Sequence, residues 1–316
     1  MAELVPELLL DDVLETPVAL RRLADAHEAT PPLALEAARV VFLGMGSSRY
    51  AALHAVAELR RHGRDAHAEY PSTGAPQPAA SDLLAVAISA GGGSAETLAA
   101  IRRHRGTSRT VGITNTIDGA LAREVDTCLD LHAGRERSGV ACRSYTTTLA
   151  LLLLLSGIPA DAIRAAAGAC EELLEGRDGW LSHAADILER GPVHVLAPAE
   201  RVGSAEQSAL MLREVPRVRA DACETGDWSH VDVYLSKAPG LGLLMLRGSA
   251  WEAEVMEWAA KRACPVVTVG GPLPGAALDV PVPGRDDPAA RSLVEGRVAE
   301  LLAAELHARH GDRLSM

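Results

Sequence analysis

The feature that most constrains the fold of this chain is a recurring unit of strand, small-residue turn and helix. The apolar run Val40-Val-Phe-Leu43 predicts a buried strand, and Gly44-Met-Gly-Ser-Ser48 follows it before a helix predicted over residues 50–61. A second apolar run at 83–88 leads into Ser89-Ala-Gly-Gly-Gly-Ser94 and a helix predicted over 96–103. Each turn can present backbone N–H groups and a helix N-terminus to an anion.

The same alternation continues along the whole chain. Further strands are predicted at 66–69, 110–114, 128–131, 193–196, 242–246, 265–269 and 278–282. Further helices are predicted at 119–124, 146–156, 205–213, 252–262 and 288–307. Alternation of this kind indicates parallel sheets covered by helices on both faces, with ligands beyond the carboxyl ends of the strands. We therefore expect a duplicated α/β fold of two flavodoxin-like halves.

The length of 316 residues is enough for two domains of ordinary size. We expect an N-terminal helical arm over residues 1–30, because its leucines recur at helical spacing. A first domain is expected over 31–158, connecting helices over 159–190, and a second domain over 191–316. The first turn of the second half, Ala197-Pro-Ala-Glu200, has no glycine and carries a carboxylate, so we expect phosphate to bind only in the first half.

Composition and short motifs exclude several classes of ligand. Neither glycine-rich turn matches the dinucleotide-binding or P-loop pattern, and either turn alone would be an ordinary tight turn in about half of cases. A net charge of −11 with only two lysines disfavours nucleic acid. The five cysteines have no metal-ligand spacing, so we expect neither a disulfide nor structural zinc. We also expect no metal site and no cofactor.

Location follows from what the sequence lacks. The N-terminal residues have no basic start and no signal-peptide cleavage pattern. The longest apolar run, residues 149–155, is too short to cross a bilayer and is typical of a buried helix. We therefore expect a cytoplasmic protein without a membrane partner.

A carboxylate and an imidazole follow one another within a short stretch of sequence in the second half. Glu214 ends a predicted helix, and after Pro216 a predicted loop leads to His230. Such a pair can move protons on and off a carbon skeleton near neutral pH. On spacing alone, a solvated glutamate and a surface histidine are the commoner interpretation.

These motifs together resemble the double sugar isomerase (SIS) domain family, most of all the isomerase half of the glutamine–fructose-6-phosphate amidotransferases, the glucosamine-6-phosphate synthases. The motifs that carry the resemblance are Glu15-Thr-Pro17, Gly44-Met-Gly-Ser-Ser48, Ile88-Ser-Ala-Gly-Gly-Gly-Ser-Ala-Glu-Thr-Leu98, Ala133-Gly-Arg-Glu-Arg-Ser-Gly-Val-Ala141 with Ser144-Tyr-Thr-Thr147, and Leu212-Arg-Glu214 with His230. They cover both halves, so the resemblance implies two SIS subdomains. We expect no glutaminase domain before them and no N-terminal catalytic cysteine.

The resemblance also implies roles for individual residues. It places Ser48, Ser89 and Ser94 on the phosphate of a sugar phosphate. Other positions at which it implies substrate contact are Gly46, Ser47, Gly91, Gly92, Thr97, Glu136 and Val140. It implies that Glu214 is the general base that moves a proton between C1 and C2, and that His230 opens the sugar ring. In this family the histidine reaches into the neighbouring subunit's site, so we expect a homodimer.

The chain departs from the family pattern at several points. Ala90, Gly91 and Gly93 replace the glutamine, serine and glutamate of the usual phosphate loop, so side-chain donors are lost. Met211 stands where the synthase has a lysine one turn before its base, and Val231-Asp232 replaces the Gly-Pro after its histidine. The last residues, 310–316, contain no lysine, which argues against Schiff-base chemistry of the synthase type.

Two hypotheses remain. The first is an isomerase or deaminase that acts on a sugar phosphate or amino-sugar phosphate through an enediol or enolamine intermediate. The second is a non-catalytic sugar-phosphate sensor, which the reduced phosphate loop and the missing lysines favour. The short N-terminal arm and the acidic chain disfavour a DNA-reading sensor. The sequence leaves the sugar unidentified, and it leaves the choice between isomerisation and deamination open.

Overall fold

The computed structural model describes residues 4–29, 37–237 and 239–311. The chain divides into two compact units. We call them the first-sheet unit, Val18–Glu136 with Arg143–Arg164, and the second-sheet unit, Met1–Pro17 with Arg137–Cys142 and Ala165–Met316.

The first-sheet unit is built on five parallel strands in the order β2-β1-β3-β4-β5. The strands are β1 (Arg39–Gly44), β2 (Asp65–Glu69), β3 (Leu83–Ile88), β4 (Arg109–Thr114) and β5 (Thr127–Asp130). The helices are most of α2 (Thr16–Ala29), α3 (Ser47–Arg61), α4 (Ala95–Arg102), α5 (Arg143–Leu155) and the first residues of α6 (Ala160–Glu175). The sheet is thus flanked by helices, as the alternating sequence pattern predicts.

Burial along the strands follows their places in the sheet. Every residue of the central strand β3 is buried, whereas the edge strands β2 and β5 are mostly half-buried. A strand that is apolar and buried along its whole length requires cover on both faces, which is the arrangement of a parallel sheet. The apolar run at 149–155 lies within α5, all of whose residues are buried, so it is a core helix as predicted.

The second-sheet unit repeats this topology. Its strands are β6 (Val193–Ala197), β7 (Ala220–Glu224), β8 (Gly242–Leu246), β9 (Val266–Val269) and β10 (Leu278–Val280). They are parallel and lie in the order β7-β6-β8-β9-β10, the same path as in the first sheet. Its helices are α1 (Leu9–Leu14), α7 (Leu181–Leu188), α8 (Val202–Glu214), α9 (Thr225–Trp228), α10 (Glu252–Arg262), α11 (Pro288–Val294) and α12 (Gly296–His310), together with most of α6. The predicted duplication is confirmed.

Three local predictions were wrong. The predicted loop after Pro216 contains the edge strand β7 and the short helix α9. The helix predicted over 119–124 is a single 3₁₀ turn, Leu121–Arg123. The helix predicted over 288–307 is two helices that meet at Glu295, a buried carboxylate that pairs with Arg201. No helix in the part of the chain that the structure describes has both the length and the hydropathy needed to cross a membrane.

Candidate functional site

The two small-residue turns leave the same edge of the first sheet. Strands β1 and β3 are neighbours, and Gly44 is paired with Ile88 at their carboxyl ends. The chain therefore enters both turns at the same level. This register brings Met45 and Ser89, the residues that follow, to adjacent positions at the sheet edge.

The turn after β1 depends on two glycines. A Cβ on Gly44 would lie 2.9 Å from Cβ of Ser48, so the start of α3 passes closer to this strand than a side chain allows. Gly46 has φ of +51°, a left-handed conformation that glycine adopts without strain. Helix α3 begins directly afterwards at Ser47, three residues earlier than predicted, so Ser47 and Ser48 stand in its first turn. The N-terminus of a 15-residue helix favours an anion through its dipole and its N–H groups.

The turn after β3 is held by internal hydrogen bonds. Gly92 donates its N–H to the carbonyl of Ser89, and Ser89 donates its own to the carbonyl of Ile113. Gly92 has φ of +66°, and a Cβ there would lie 3.0 Å from the hydroxyl oxygen of Thr114. The turn is therefore fixed in place before any ligand binds.

Ser94 begins helix α4. Its hydroxyl oxygen accepts a hydrogen bond from the N–H of Thr97 at 3.3 Å, which is an N-cap, and its hydroxyl donates to Oε2 of Glu96 at 3.0 Å. The pKa of Glu96 is lowered, first by hydrogen bonding to its own backbone and then by Ser94. Thr97 is buried, and its hydroxyl oxygen has no hydrogen-bond partner among the described atoms.

Two residues that the sequence analysis did not single out support this edge. Thr114 donates its hydroxyl to the carbonyl of Ala90 at 3.1 Å, and the N–H of Asn115 donates to the same carbonyl at 2.9 Å. Asn115 also donates Nδ2 to the carbonyl of Gly134 at 2.7 Å and accepts from the N–H of Ala133 at 3.1 Å. Asn115 thus connects the turn after β3, through its backbone N–H, to the segment after β5, through its side chain. The signal available in the sequence was this pair of polar residues, Thr114 and Asn115, at the carboxyl end of the buried strand β4.

Glu136 and Val140, two of the predicted substrate contacts, have structural partners. The carboxylate of Glu136 accepts hydrogen bonds from the N–H and the hydroxyl of Ser144 at 2.9 and 2.8 Å, which fixes the first turn of α5. Val140 belongs to the second-sheet unit, is buried, and donates its N–H to the hydroxyl oxygen of Ser138. Ser138 in turn donates its hydroxyl to the buried carboxylate of Asp12 at 2.7 Å.

Glu214 is the last residue of α8 and is half-buried. The helix ends there because Pro216 follows and Arg217 adopts a left-handed φ of +61°. Arg213 donates Nη1 to the carbonyl of Ala220 at 2.6 Å, which ties the end of α8 to the start of β7. The backbone around Glu214 is therefore fixed on both sides.

His230 is exposed and lies two residues after the end of α9, beyond its C-cap Ser229. Glu224 caps this short helix by accepting from the N–H of Asp227 at 2.8 Å, and the N–H of His230 donates to the carbonyl of Asp227 at the same distance. The indole of Trp228 is buried and donates to Nδ1 of the buried His194 on β6. The imidazole of His230 is thus carried by the segment that follows an anchored helix. Glu214 and His230 lie in the second-sheet unit, and the serines of the two small-residue turns lie in the first-sheet unit.

Comparison with known proteins agrees with the resemblance drawn from the motifs. Residues 35–156 match the model of the SIS domain. The glutamine–fructose-6-phosphate aminotransferase (isomerizing) of Sulfolobus acidocaldarius is 27% identical over 243 residues, which are 73% of this chain and 41% of that protein. The chain thus spans about two fifths of the length of such relatives.

Solved structures share the fold along almost the whole chain. The C-terminal domain of glucosamine-fructose-6-phosphate aminotransferase from Francisella tularensis superposes with a TM-score of 0.82 at 15% identity, covering 97% of this chain and 96% of that one. Glucosamine-6-phosphate deaminase from Thermotoga maritima gives 0.76 at 21% identity, covering 96% and 95%. At these identities the likeness establishes the fold.

Proposed function

Residues 35–156 of this chain are a SIS domain, and from that premise we propose that the protein is a sugar-phosphate isomerase or an amino-sugar-phosphate deaminase. The observation that carries the proposal is the pairing of Gly44 with Ile88, which brings two small-residue turns and two helix N-termini to one edge of the first sheet. Such an edge suits a dianionic phosphate because N–H donors and helix dipoles act on it together.

In this proposal the phosphate is held by Ser48 and Ser89 and by the backbone of the two turns. Backbone donors at Gly46, Ser47 and Gly91 compensate for the side chains that Ala90 and Gly93 lack, whereas the N–H of Gly92 is used inside the turn by its bond to Ser89. Ser94 shapes the start of α4 through its N-cap and donates its hydroxyl to whichever acceptor is nearer, Glu96 or the phosphate. Thr97 supports the same turn through its N–H, which donates to the hydroxyl oxygen of Ser94.

Glu214 is proposed as the base. Its carboxylate takes a proton from C2 of an aldose or from C1 of a ketose, and the released electron pair forms the C1–C2 double bond of an enediol as the carbonyl oxygen gains a proton. The proton then returns to the other carbon, while the hydroxyl on the carbon that lost its hydrogen gives up its proton and becomes the new carbonyl, which completes the isomerisation. Glu214 is half-buried, and a partly desolvated carboxylate is the kind of group that this step requires.

His230 is proposed to open the cyclic sugar by moving a proton between the ring oxygen and the anomeric hydroxyl. This step needs a group that titrates near neutrality, which imidazole does. We also propose that the chain is a homodimer in which His230 serves the partner's site. His230 is exposed, and the apolar side chains that follow it, Val231, Tyr234 and Leu235, are 52%, 70% and 52% exposed. Apolar groups exposed together in this way are typical of protein interfaces.

The relatives support both reactions. The Sulfolobus acidocaldarius relative is named as an isomerizing aminotransferase, and the Thermotoga maritima structure is a deaminase. In deamination of glucosamine-6-phosphate, the proton removed from C2 would return to C1 of the enolamine and the double bond would move to C2=N. Water would then add to C2 and displace ammonia, which leaves fructose-6-phosphate. The two lysines of the sequence are Lys237 and Lys261, and Lys261 is exposed and paired with Glu257 at 2.6 Å. Neither proposed reaction therefore includes a Schiff base between the sugar and a lysine of the protein.

Incubation with glucosamine-6-phosphate, and separately with fructose-6-phosphate with and without ammonia, tests the proposal. Release of ammonia from the first identifies a deaminase, and conversion of fructose-6-phosphate to an aldose phosphate identifies an isomerase. A panel of hexose and pentose phosphates extends the test. If some of them bind and none is converted, the enzymatic proposal is contradicted.

The sensor hypothesis has one observation of its own. The hydroxyl of Ser94 is already bonded to Glu96, and residues 90, 91 and 93 offer no side-chain donor, so the turn can hold a ligand less firmly than the family loop. A sensor would bind a sugar phosphate and leave its C–H protons unexchanged in deuterated water. An enzyme would exchange them.

A further inference from the structure

The second sheet has its own counterpart of the phosphate edge. Strands β6 and β8 occupy the places that β1 and β3 have in the first sheet, and Leu196 is paired with Met245 near their carboxyl ends. The turn after β6 leads to Arg201, and the turn after β8 is Arg247-Gly-Ser-Ala-Trp251. Ligands of parallel α/β sheets bind at this edge.

The backbone donors of the turn after β8 are already occupied by a side chain. Oε1 of Glu252 accepts from the N–H groups of Gly248 and Ser249, the latter at 3.1 Å, and Oε2 accepts from Nε of Arg247 at 2.8 Å. Glu252 is buried and occupies the place that an external anion would take on this turn. A ligand at this edge must therefore be bound by side chains.

Two arginines supply such side chains. At Gly248, which is exposed and has φ of +125°, the position of an added Cβ would be 3.1 Å from Nη1 of Arg291. The same position would be 3.4 and 3.5 Å from Nη2 and Nη1 of Arg201. Two guanidinium groups from α11 and from the turn after β6 thus converge beside one exposed glycine.

The charges of these arginines are unequally compensated. Nε of Arg201 donates to both oxygens of the buried Glu295, at 3.1 and 3.2 Å. Nη1 of Arg201 also lies 3.6 Å from Oε1 of Glu200, and its Nη2 donates to the carbonyl of Arg247. Arg291 donates Nε to the carbonyl of Arg285 at 2.6 Å, and within the described ranges it forms no ion pair with a carboxylate. The pKa of Arg291 is lowered, mainly by burial and then by the charge of Arg201. An anion beside Gly248 would relieve this repulsion.

Against the expectation that phosphate binds only in the first half, we infer that Arg291 and Arg201 form a second anion site beside Gly248, which binds the phosphate of a phosphate monoester. The fork geometry of guanidinium groups matches phosphate oxygens, so two of them can replace the lost backbone donors. Trp251, three residues after Gly248, is 60% exposed and offers an aromatic face to an attached sugar ring. The second anion site involves neither Glu214 nor His230, and its existence does not depend on the proposed function.

Calorimetric titration of inorganic phosphate into the full chain tests this site. Ser89→Asp is the background, because a carboxylate in the first-sheet turn repels phosphate there and leaves the second site to be measured alone. We expect this variant to keep one phosphate per chain. Adding Arg291→Gln should weaken that binding roughly tenfold or more, since hydrogen bonds to charged groups are lost. Adding Arg291→Lys, which keeps the charge without the fork, should weaken it less.

Arg219→Ala in the same background is the matched control, because Arg219 is an exposed arginine at the opposite, amino-terminal edge of the second sheet. Its affinity for phosphate should equal that of the background. Titration with glucosamine-6-phosphate distinguishes a site for the free ion from one for the ester, which should bind more tightly through Trp251. Absence of phosphate binding to Ser89→Asp, or equal weakening by Arg291→Gln and Arg219→Ala, would overturn the inference. Thermal unfolding of each variant confirms that it is folded.

Discussion

The indole nitrogen of Trp228 donates a hydrogen bond to Nδ1 of His194 across 3.0 Å, and both side chains are buried. The bond fixes the imidazole of His194 as the neutral tautomer with its proton on Nε2, because Nδ1 must accept. It also attaches α9, and with it the backbone that leads to His230, to the interior strand β6. The position of an exposed histidine thus depends on a buried one.

Replacement of Trp228 by Phe keeps an aromatic ring and removes the donor. We expect a loss of about 1–3 kcal/mol of unfolding free energy, because Nδ1 of His194 becomes a buried acceptor without a partner. Chemical denaturation measures the loss. Trp258→Phe is the control, since that indole is only partly buried at the edge of the core, and its substitution should cost less. An equal effect of both changes would contradict the importance of the bond.

Stability should also depend on pH through His194. Burial is the main cause that lowers the pKa of His194 from its ordinary 6.5, and Asp232 and Asp221 oppose the effect. The unfolded chain therefore binds the proton more readily. The stability that His194 contributes is complete above pH 6.5 and is lost as the pH falls toward the lower, folded-state pKa.

Denaturation at several pH values between 7.5 and 5 checks this expectation. His194→Gln keeps an acceptor for Trp228 but does not titrate, so its stability should fall less over this range than that of the wild type. An identical fall in both proteins would assign the pH dependence to other groups, such as His104, whose pKa is also lowered by burial.

Gly44→Ala should disturb the proposed phosphate turn and Gly91→Ala should not. The new Cβ at residue 44 would meet Cβ of Ser48 at 2.9 Å and the backbone of Arg49 at 3.2 Å, whereas at residue 91 nothing lies within 4 Å. We expect Gly44→Ala to cost about 1–3 kcal/mol of stability, as overpacking does, and to weaken sugar-phosphate binding. Thermal unfolding and titration of both variants would decide, and equal behaviour would mean that the close approach of α3 to β1 is unimportant.

Glu214→Gln keeps the shape of the side chain and removes its basicity. If Glu214 is the base, solvent deuterium should no longer enter C2 of a bound sugar phosphate, with a rate loss of roughly a hundred- to ten-thousand-fold. His230→Asn should instead slow the cyclic sugar far more than an open-chain analogue, because ring opening and enolisation are separate proton transfers. NMR follows both. Incorporation that survives Glu214→Gln would reject this choice of base.

Mixing of the two inactive variants tests the proposed dimer. If His230 completes the partner's site, each mixed dimer of Glu214→Gln and His230→Asn has one intact site and one doubly substituted site. Subunit exchange in equal amounts should then restore about a quarter of wild-type activity. No recovery, with a dimer shown by sedimentation, would place His230 in the site of its own subunit. A catalytically active monomer would remove the proposed homodimer altogether.

The sequence predicted the fold well wherever an apolar run was followed by small residues. The strands at 83–88 and 242–246 are recognisable because buried parallel strands are apolar along their whole length. Strand β7 was missed because Ala-Asp-Ala-Cys-Glu has little strand propensity and is only partly buried, as an edge strand is. Its pairing with β6 is a tertiary effect that no local pattern reveals.

The candidate site was predicted in the same uneven way. Gly44, Gly46 and Gly92 sit where the turns need them, and the glycine pattern made them visible. Asn115 was missed because its role depends on contacts with residues 133 and 134 after the next strand. The bond between Trp228 and His194 joins residues 34 positions apart, so sequence spacing gives no sign of it. The roles of Glu214 and His230 in catalysis stay predictions.

The pairing of Gly44 with Ile88 makes the protein more sensitive to insertions in the strands than to substitutions in the turns. The level at which each turn starts is fixed by the ladder of β1 and β3, which depends on the number of residues in the strands and only weakly on the side chains of the turn. A residue inserted into β1 would shift the register and reverse every following side chain, whereas replacements at Ala90, Gly91 or Gly93 leave the backbone path in place. In a library of variants, the length of these strands should therefore tolerate far less change than the composition of the turns.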